Sequence, residues 1–310
     1  MVHVEIAASL RALLRRSIDY AGLFPPAGLE LERAVKEYAS YLRSNEAWML
    51  STFVLPVKKF GEAAWFVSEF DEDSPFRISA LGTKTINAID FIEELKSTAK
   101  GVREFAGEYP KEVRIEQLEM PLPATVTPEL LLETSEILGE LSVAVFLEAP
   151  VSEAEKTISL LAEHNAETGN LKLNFKLRTG GVTVDAFPAA SDIAKAIVTV
   201  ARDRVPIKFT AGLHHPVRLF RHEVKTKMHG FLNVLGAGVL ALEHGWNEHR
   251  TAAMLEEENP ESFIFDGSIF RWRDWEIGSE AIERQRRLIT SFGSCSFDEP
   301  REDLRALKLL

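Results

Sequence analysis

Lys172-Leu-Asn-Phe-Lys-Leu-Arg-Thr-Gly-Gly181 and, one helical pattern later, Pro206-Ile-Lys-Phe-Thr-Ala-Gly-Leu-His-His-Pro216 are two strand-like segments, each ending in a polar sequence. In the first, Leu173, Phe175 and Leu177 alternate with Lys172, Asn174, Lys176 and Arg178. A period of two puts the apolar set on one face and the polar set on the other. In an ordinary half-buried strand the polar face meets water. Here a helix striped by Ile193, Ile197 and Val200 follows and is available to cover the outer face. The polar face then looks into something enclosed.

The same strand-then-helix alternation extends in both directions. Extended segments are expected near 18–22, 48–55, 77–82, 112–119, 143–148, 172–178, 206–211 and 262–266. Leu31, Val35, Tyr38 and Leu42 form one helical stripe; Phe91, Leu95, Ala99 and Val102 form another, with Asn87 as its cap. Ser152 and Glu155 have capping-box spacing, and His222 to His244 reads as one long helix. Strand spacings of ~25–35 residues match βα units, whose crossovers force parallel pairing. Eight such units in about 250 residues is the arithmetic of a (β/α)8 TIM barrel. A doubly wound open sheet is the alternative, weakened by the lack of a G-x-G-x-x-G or P-loop fingerprint after an early strand. The expected organisation is a single barrel domain over 1–310, with an N-terminal helix over 1–16 and a C-terminal extension over 268–310. In that extension Gly293-Ser-Cys-Ser-Phe297 lies outside the eight units and suits a lid or a barrel-closing piece.

The chain is 45% hydrophobic and 27% charged, enough for a substantial core. A net charge of -11 argues against a general nucleic-acid or acidic-membrane partner, since both need a cationic footprint. The one cysteine, Cys295, leaves no internal disulfide and fits a reducing compartment. No apolar run approaches the ~18 residues of a membrane span, so a cytoplasmic location is expected. A homo-oligomer is compatible with all of this.

In a parallel barrel the chemistry sits at the carboxyl ends of the strands. That rule selects Arg114 and Glu116 on the fourth strand, with Glu119 just beyond, and Glu148 on the fifth. It selects Lys176 and Arg178 on the sixth, Lys208 and Thr210 on the seventh, and Asp266 on the eighth. Asp19 and Lys84 are candidates from the first and third. The plainer reading of Arg114 and Glu116 is an inter-strand ion pair. Yet unpaired charges in an enclosed centre cost several kcal/mol each, so charges on four successive strands point to a site. Lys176, Arg178 and Lys208 make a cationic pocket. Thr179, Gly180, Gly181 and Gly212 supply turns through which backbone N–H groups approach an anion. A tight turn alone is the bland account of Gly180-Gly181. Two neighbouring lysines also suggest that one cation depresses the pKa of the other, leaving an amine able to attack a carbonyl. Six of the eight histidines lie between His214 and His249, and His214 or His215 is expected to face the pocket as a proton carrier. His222, His229 and Asn233 would share one helix face, as a polar seam beside the site or, equally, as a solvated face. No cofactor is expected. A divalent metal held by a histidine with Glu116 or Glu148 is the alternative, without H-E-x-x-H spacing to support it.

At Lys176 and Lys208, with Thr-Gly-Gly181 and Thr-Ala-Gly212 after them, the chain resembles the class I deoxyribose-phosphate aldolases over about 40 residues. The resemblance implies a Schiff-base lysine at Lys176, a second lysine at Lys208 and phosphate-holding turns. Arg178 and His214-His215 depart from that pattern. The longer motifs Asp19-Tyr-Ala-Gly-Leu-Phe-Pro-Pro26, Ala211-Gly-Leu-His-His-Pro216 and Gly293-Ser-Cys-Ser-Phe-Asp-Glu-Pro300 are similar to a bacterial TIM-barrel family of unassigned function. Taken together, these residues lead to the expectation of a barrel enzyme, aldolase or lyase in type, acting on a small anionic carbonyl substrate. Lys176, Lys208, Glu116, Glu148, His214 and His215 would be catalytic; Arg178, Thr179, Gly180, Gly181, Thr210, Gly212, Arg114 and Asp266 would bind substrate. A metal-assisted lyase or hydrolase and a non-catalytic anion-binding barrel are the rivals.

Overall fold

In the computed structural model, which describes residues 6–168 and 171–310, eight parallel strands close into a barrel. They are β1 Ile18–Tyr20, β2 Leu50–Pro56, β3 Phe76–Leu81, β4 Val113–Pro121, β5 Ala144–Glu148, β6 Leu173–Arg178, β7 Ile207–Thr210 and, last in sequence, Ile289–Ser294. The intervening strands lie outside the barrel. They are a hairpin of β8 Leu219–Arg221 and β9 Thr226–Met228, and an antiparallel sheet of β10 Phe263–Asp266, β11 Ile269–Trp272 and β12 Trp275–Gly278. The closing strand is therefore β13, which pairs with β1 on one side and β7 on the other.

Seven of the eight expected strands form where the alternation places them. The eighth does not. Phe263–Asp266 starts the outer meander, turned back at Gly267, whose φ of +52° is free for glycine. The Asp266-Gly267 pair is itself a strong hairpin signal. The real closing strand, Ile-Thr-Ser-Phe-Gly-Ser, carries small polar residues and gives little alternation to read. Gly293 is set in register with Asp19, and a Cβ there would meet the Thr210 hydroxyl at 3.2 Å. The segment set apart as an extension thus supplies a barrel stave.

A second correction concerns 222–244. The helix runs only over Phe231–His244. His222 lies in the turn of the β8–β9 hairpin and His229 in the link before the helix, so the expected His222–His229–Asn233 seam does not form. His229 is buried, with its Nε2 at 2.9 Å from the Pro188 carbonyl. Asn233 instead braces backbone, accepting from the Arg218 N–H and donating to the Met254 and Glu257 carbonyls.

Asn87 caps Ala88–Glu108 by accepting the Asp90 N–H, as its position predicts. The Ser152/Glu155 box does not form, because a 3-10 turn over Val151–Glu153 leads directly into Ala154–Glu167 without a side-chain cap. Helices cover the barrel with apolar stripes. Tyr38, on Leu31–Leu42, packs against Phe53 and Phe76 of neighbouring staves and donates its hydroxyl to the Ser51 carbonyl. Among the described residues no helix is long and apolar enough to cross a membrane.

Candidate functional site

Strand register brings the charges together. Glu148 lies beside Lys176 and Lys176 beside Lys208 on β5, β6 and β7. β4 would join them in its simple alternating phase through Glu116, but its register with β3 slips: Ile78 faces Ile115, and Ser79 faces Gln117. One extra residue on β4 is a bulge, and it exchanges the two faces of the strand beyond it. Gln117 and Glu119 therefore reach the barrel interior. Glu116 is left near the amino ends of the strands, paired with Arg16 and, at 3.8 Å, with Arg77. Arg114 is exposed at the strand start and donates to the Pro110 and Val113 carbonyls. Neither residue lies at the mouth.

Inside, a continuous chain of opposite charges crosses the barrel. Lys208 Nζ stands 2.9 Å from Asp19 Oδ2 and 2.5 Å from Glu119 Oε1, and it also donates to Gln117 Oε1 at 2.5 Å. Lys176 Nζ lies 2.6 Å from Glu119 Oε2 and 2.8 Å from Glu148 Oε2. Asp19 accepts further hydrogen bonds from the Thr52 and Ser291 hydroxyls, each at 2.6 Å, and Glu119 accepts one from Ser79 at 2.5 Å. Every buried charge thus has several partners, the condition under which such groups are tolerated in an interior.

The electrostatics correct the expectation for the lysine pair. Burial works against charge on Lys176, but the Glu119 and Glu148 carboxylates more than offset it and raise its pKa above the ordinary lysine value. Burial likewise opposes ionisation of Glu119, yet Lys176 and Lys208 hold its carboxyl far below the usual range. A nearby cation does not leave Lys176 a free amine, because two carboxylates lie within 3 Å of its Nζ.

Above this network a cavity of about 200 Å³ opens at the barrel mouth, its wall including Glu119, Lys176, Arg178, Gly181, His214 and Cys295. Thr210 and Gly212 also line it. Arg178 is exposed and has no ion-pair partner among the described residues. A second cavity of about 270 Å³ adjoins it, sharing Pro26, Gly181, Val182 and His214 and extending to His215, Glu299 and Arg221, Glu223 and Met228 of the β8–β9 hairpin region. The two histidines point to different partners on the helix Asp298–Ala306. His214 Nδ1 lies 3.3 Å from Glu299 Oε2 and His215 Nδ1 2.6 Å from Asp303 Oδ2. Burial would lower the pKa of His214, but hydrogen bonds to Cys295 and Glu299 hold it up at about 9.

Thr179 is fully buried, and its hydroxyl donates to the Ala211 carbonyl at 2.7 Å, so it clasps the β6 turn to the β7 turn. Gly180 and Gly212 meet at that clasp. A Cβ on Gly180 would come within 2.8 Å of the Gly212 Cα and 2.6 Å of the Phe187 ring, and Gly212 itself has φ +76°. Gly180→Ala is expected to lower stability by about 1–3 kcal/mol through overpacking. Urea unfolding measures this, and an unchanged midpoint would mean the turns are not in contact. Asp266 is exposed on the outer sheet beside Arg271 and takes no part in either cavity, a consequence of the misplaced eighth strand.

Asp19 and Glu119, noted only as flanking candidates in the sequence, thus become central, and Cys295 enters through the closing strand. Among the described residues no three His, Cys, Asp or Glu side chains are grouped to hold a metal ion, and Glu119 and Glu148 are both engaged by Lys176.

No protein-family model matches the chain, and no curated protein matches it. Among solved structures, one provisionally designated a dihydrodipicolinate synthetase, from Pseudomonas aeruginosa, aligns with 77% of this chain and 80% of its own at 15% identity and a TM-score of 0.36. A likeness of that size carries no argument about activity. The barrel itself rests on the strand pairing described above.

Proposed function

We propose that this chain is an imine-forming aldolase or lyase in which Lys176 attacks the carbonyl of a small anionic substrate. One observation carries the reading: Lys176, buried among carboxylates deep in the barrel, also forms part of the wall of the mouth cavity, with Lys208 behind it. Its charge is paired, so what singles Lys176 out is that a buried ionisable group with a strongly perturbed pKa also opens onto a cavity, the setting in which functional groups cluster. Arg178 and the turn N–H groups at Gly180, Gly181 and Gly212 would receive the carboxylate or phosphate of the substrate.

The resting ammonium must first lose a proton, and Glu148 at 2.8 Å is the acceptor at hand. Entry of a carbonyl group displaces that ion pair, and in a dry site a neutral amine with a neutral acid competes better with the charged pair. Nζ then bonds to the carbonyl carbon, and the oxygen leaves as water after taking one proton from Nζ and the other back from Glu148. The iminium draws in the electrons of the Cα–Cβ bond as it breaks, while a carboxylate takes the proton of the β-hydroxyl, whose oxygen becomes the carbonyl of the departing aldehyde or ketone. That proton returns to the enamine carbon, and one water hydrolyses the imine to restore Lys176. Water lost and water gained balance.

Borohydride reduction in the presence of 2-keto acids and phosphorylated aldehydes tests this. The expected result is a stable adduct on Lys176 in the mapped peptides, and the trapped compound identifies the substrate class. A panel with no adduct on either lysine would remove the imine route. A second reading, favoured by the raised pKa of Lys176, keeps it charged. The ammonium would then stabilise an enolate while Glu148 moves the proton.

A further inference from the structure

The lysine chemistry leaves one buried nucleophile unused. Cys295 is 7% exposed, follows directly on the closing strand, and lines the same cavity as Lys176. It is not isolated. Its Sγ lies 3.7 Å from His214 Nδ1, the nitrogen that also approaches Glu299 Oε2 at 3.3 Å. His214 is 7% exposed, contributes to both cavities, and its Nε2 has no hydrogen-bond partner among the described residues. A thiol, an imidazole and a carboxylate therefore converge on the wall of an accessible chamber. An imidazolium beside a thiol stabilises negative charge as it develops on sulfur and holds the proton that a leaving group needs.

We propose that Cys295 is a reversible oxidation site, at which hydrogen peroxide entering the barrel mouth converts the thiol to a sulfenic acid with His214 handling the proton. Sγ bonds to one peroxide oxygen as the O–O bond breaks, so sulfur loses two electrons and the peroxide gains them. The His214 imidazolium gives its proton to the departing oxygen, which leaves as water, and the thiol proton takes its place on the imidazole. The chain has a single cysteine, so no internal thiol can condense with the product. Its return requires two external thiols: the first forms a mixed disulfide and water, the second releases Cys295 and leaves as the external disulfide. A cavity of about 200 Å³ has room for hydrogen peroxide beside Cys295. The added oxygen would take up part of the cavity that Lys176 also lines and hinder carbonyl entry. That last consequence rests on the imine reading, whereas the oxidation does not.

The 310-residue chain is treated with hydrogen peroxide, and its peptides are mapped by mass over time. The expected result is a gain of one oxygen on Cys295 ahead of any methionine, reversed by dithiothreitol and absent in Cys295→Ser. His214→Gln should slow it on the order of tenfold, and Glu299→Gln should slow it less. Circular dichroism checks that each variant is folded. Oxidation of Cys295 no faster than in the urea-unfolded chain, or at the same rate in both variants as in the parent, overturns the proposal. Borohydride trapping before and after oxidation separates the two readings. Failure to trap in either state, with Cys295 still oxidised selectively, removes the lysine chemistry alone.

Discussion

Lys208→Met is expected to cost about 3–5 kcal/mol of folding stability, the usual penalty for removing one partner of a buried ion pair. The lysine and its carboxylates are effectively sealed, with side-chain exposures of 1% for Lys208, 0% for Asp19 and 2% for Glu119. Glu119 keeps Lys176 and the Ser79 hydroxyl after the change, so the main loss falls on Asp19. Its remaining close partners are the Thr52 backbone N–H and the Thr52 and Ser291 hydroxyls, which stabilise a carboxylate less than an ammonium does. Adding Asp19→Asn to Lys208→Met should therefore recover part of the loss, because the uncompensated charge disappears with it. Urea unfolding of the two single variants and the double variant measures the coupling. A Lys208→Met protein within about 1 kcal/mol of the parent would show that the network does not hold the barrel together.

The same network sets where pH matters. Glu119 has its pKa depressed, so its contribution is present above the ordinary value of 4.5 and is lost only as pH falls well below it. Lys176 has its pKa raised, so its contribution is complete below the ordinary 10.5 and is lost as pH rises beyond that. Between those limits neither of these two groups changes its contribution. His214, held up at about 9, is a group that does titrate inside the window; its contribution is present below 6.5 and lost as pH rises through about 9.

The fold was legible because its signal is repetitive. Alternation at 172–178 and a helix after it recur down the chain, and covering helices leave a parallel barrel as the economical arrangement. Two features were hidden. A single extra residue in β4 reversed the facing of Glu116 and Glu119, and no local pattern distinguishes Glu-Gln-Leu-Glu with a bulge from the same residues without one. The closing strand was hidden because barrel closure there is made by Ser291, Gly293 and Ser294, whose small side chains make room for Asp19 and Thr210 rather than alternating with apolar ones. Asp266 was selected in its place because Phe-Ile-Phe-Asp looks more like a stave than Ile-Thr-Ser-Phe-Gly-Ser does. Lys176 and Lys208 do lie buried side by side on adjacent staves, as the alternation places them, but the electrostatics of Lys176 run opposite to the expectation. That outcome depended on carboxylates from three other strands, which only the closed barrel brings within 3 Å.

Lys176→Met should abolish the borohydride adduct and, on whichever carbonyl compound is trapped, lower turnover by about 10⁴-fold or more, the scale seen when a covalent nucleophile is deleted. The fold should survive, since Glu119 retains Lys208 and the Glu148 side chain is 20% exposed and able to reach water. The decisive comparison is Lys176→Arg. Arginine keeps the positive charge between Glu119 and Glu148 but cannot form the imine, since its guanidinium does not give up a proton at accessible pH. If Lys176 acts as a nucleophile, the Arg and Met variants lose activity equally. If it acts as an ammonium that stabilises an enolate, the Arg variant retains a measurable part of the parent rate and Met does not. The pH profile adds an independent reading. Because the carboxylates raise the pKa of Lys176, the free amine is scarce at neutrality, and an imine route limited by it should speed up as pH rises. A parent rate that is flat or falling over that range, together with an active Lys176→Arg, would assign Lys176 to charge stabilisation and leave proton transfer to Glu148.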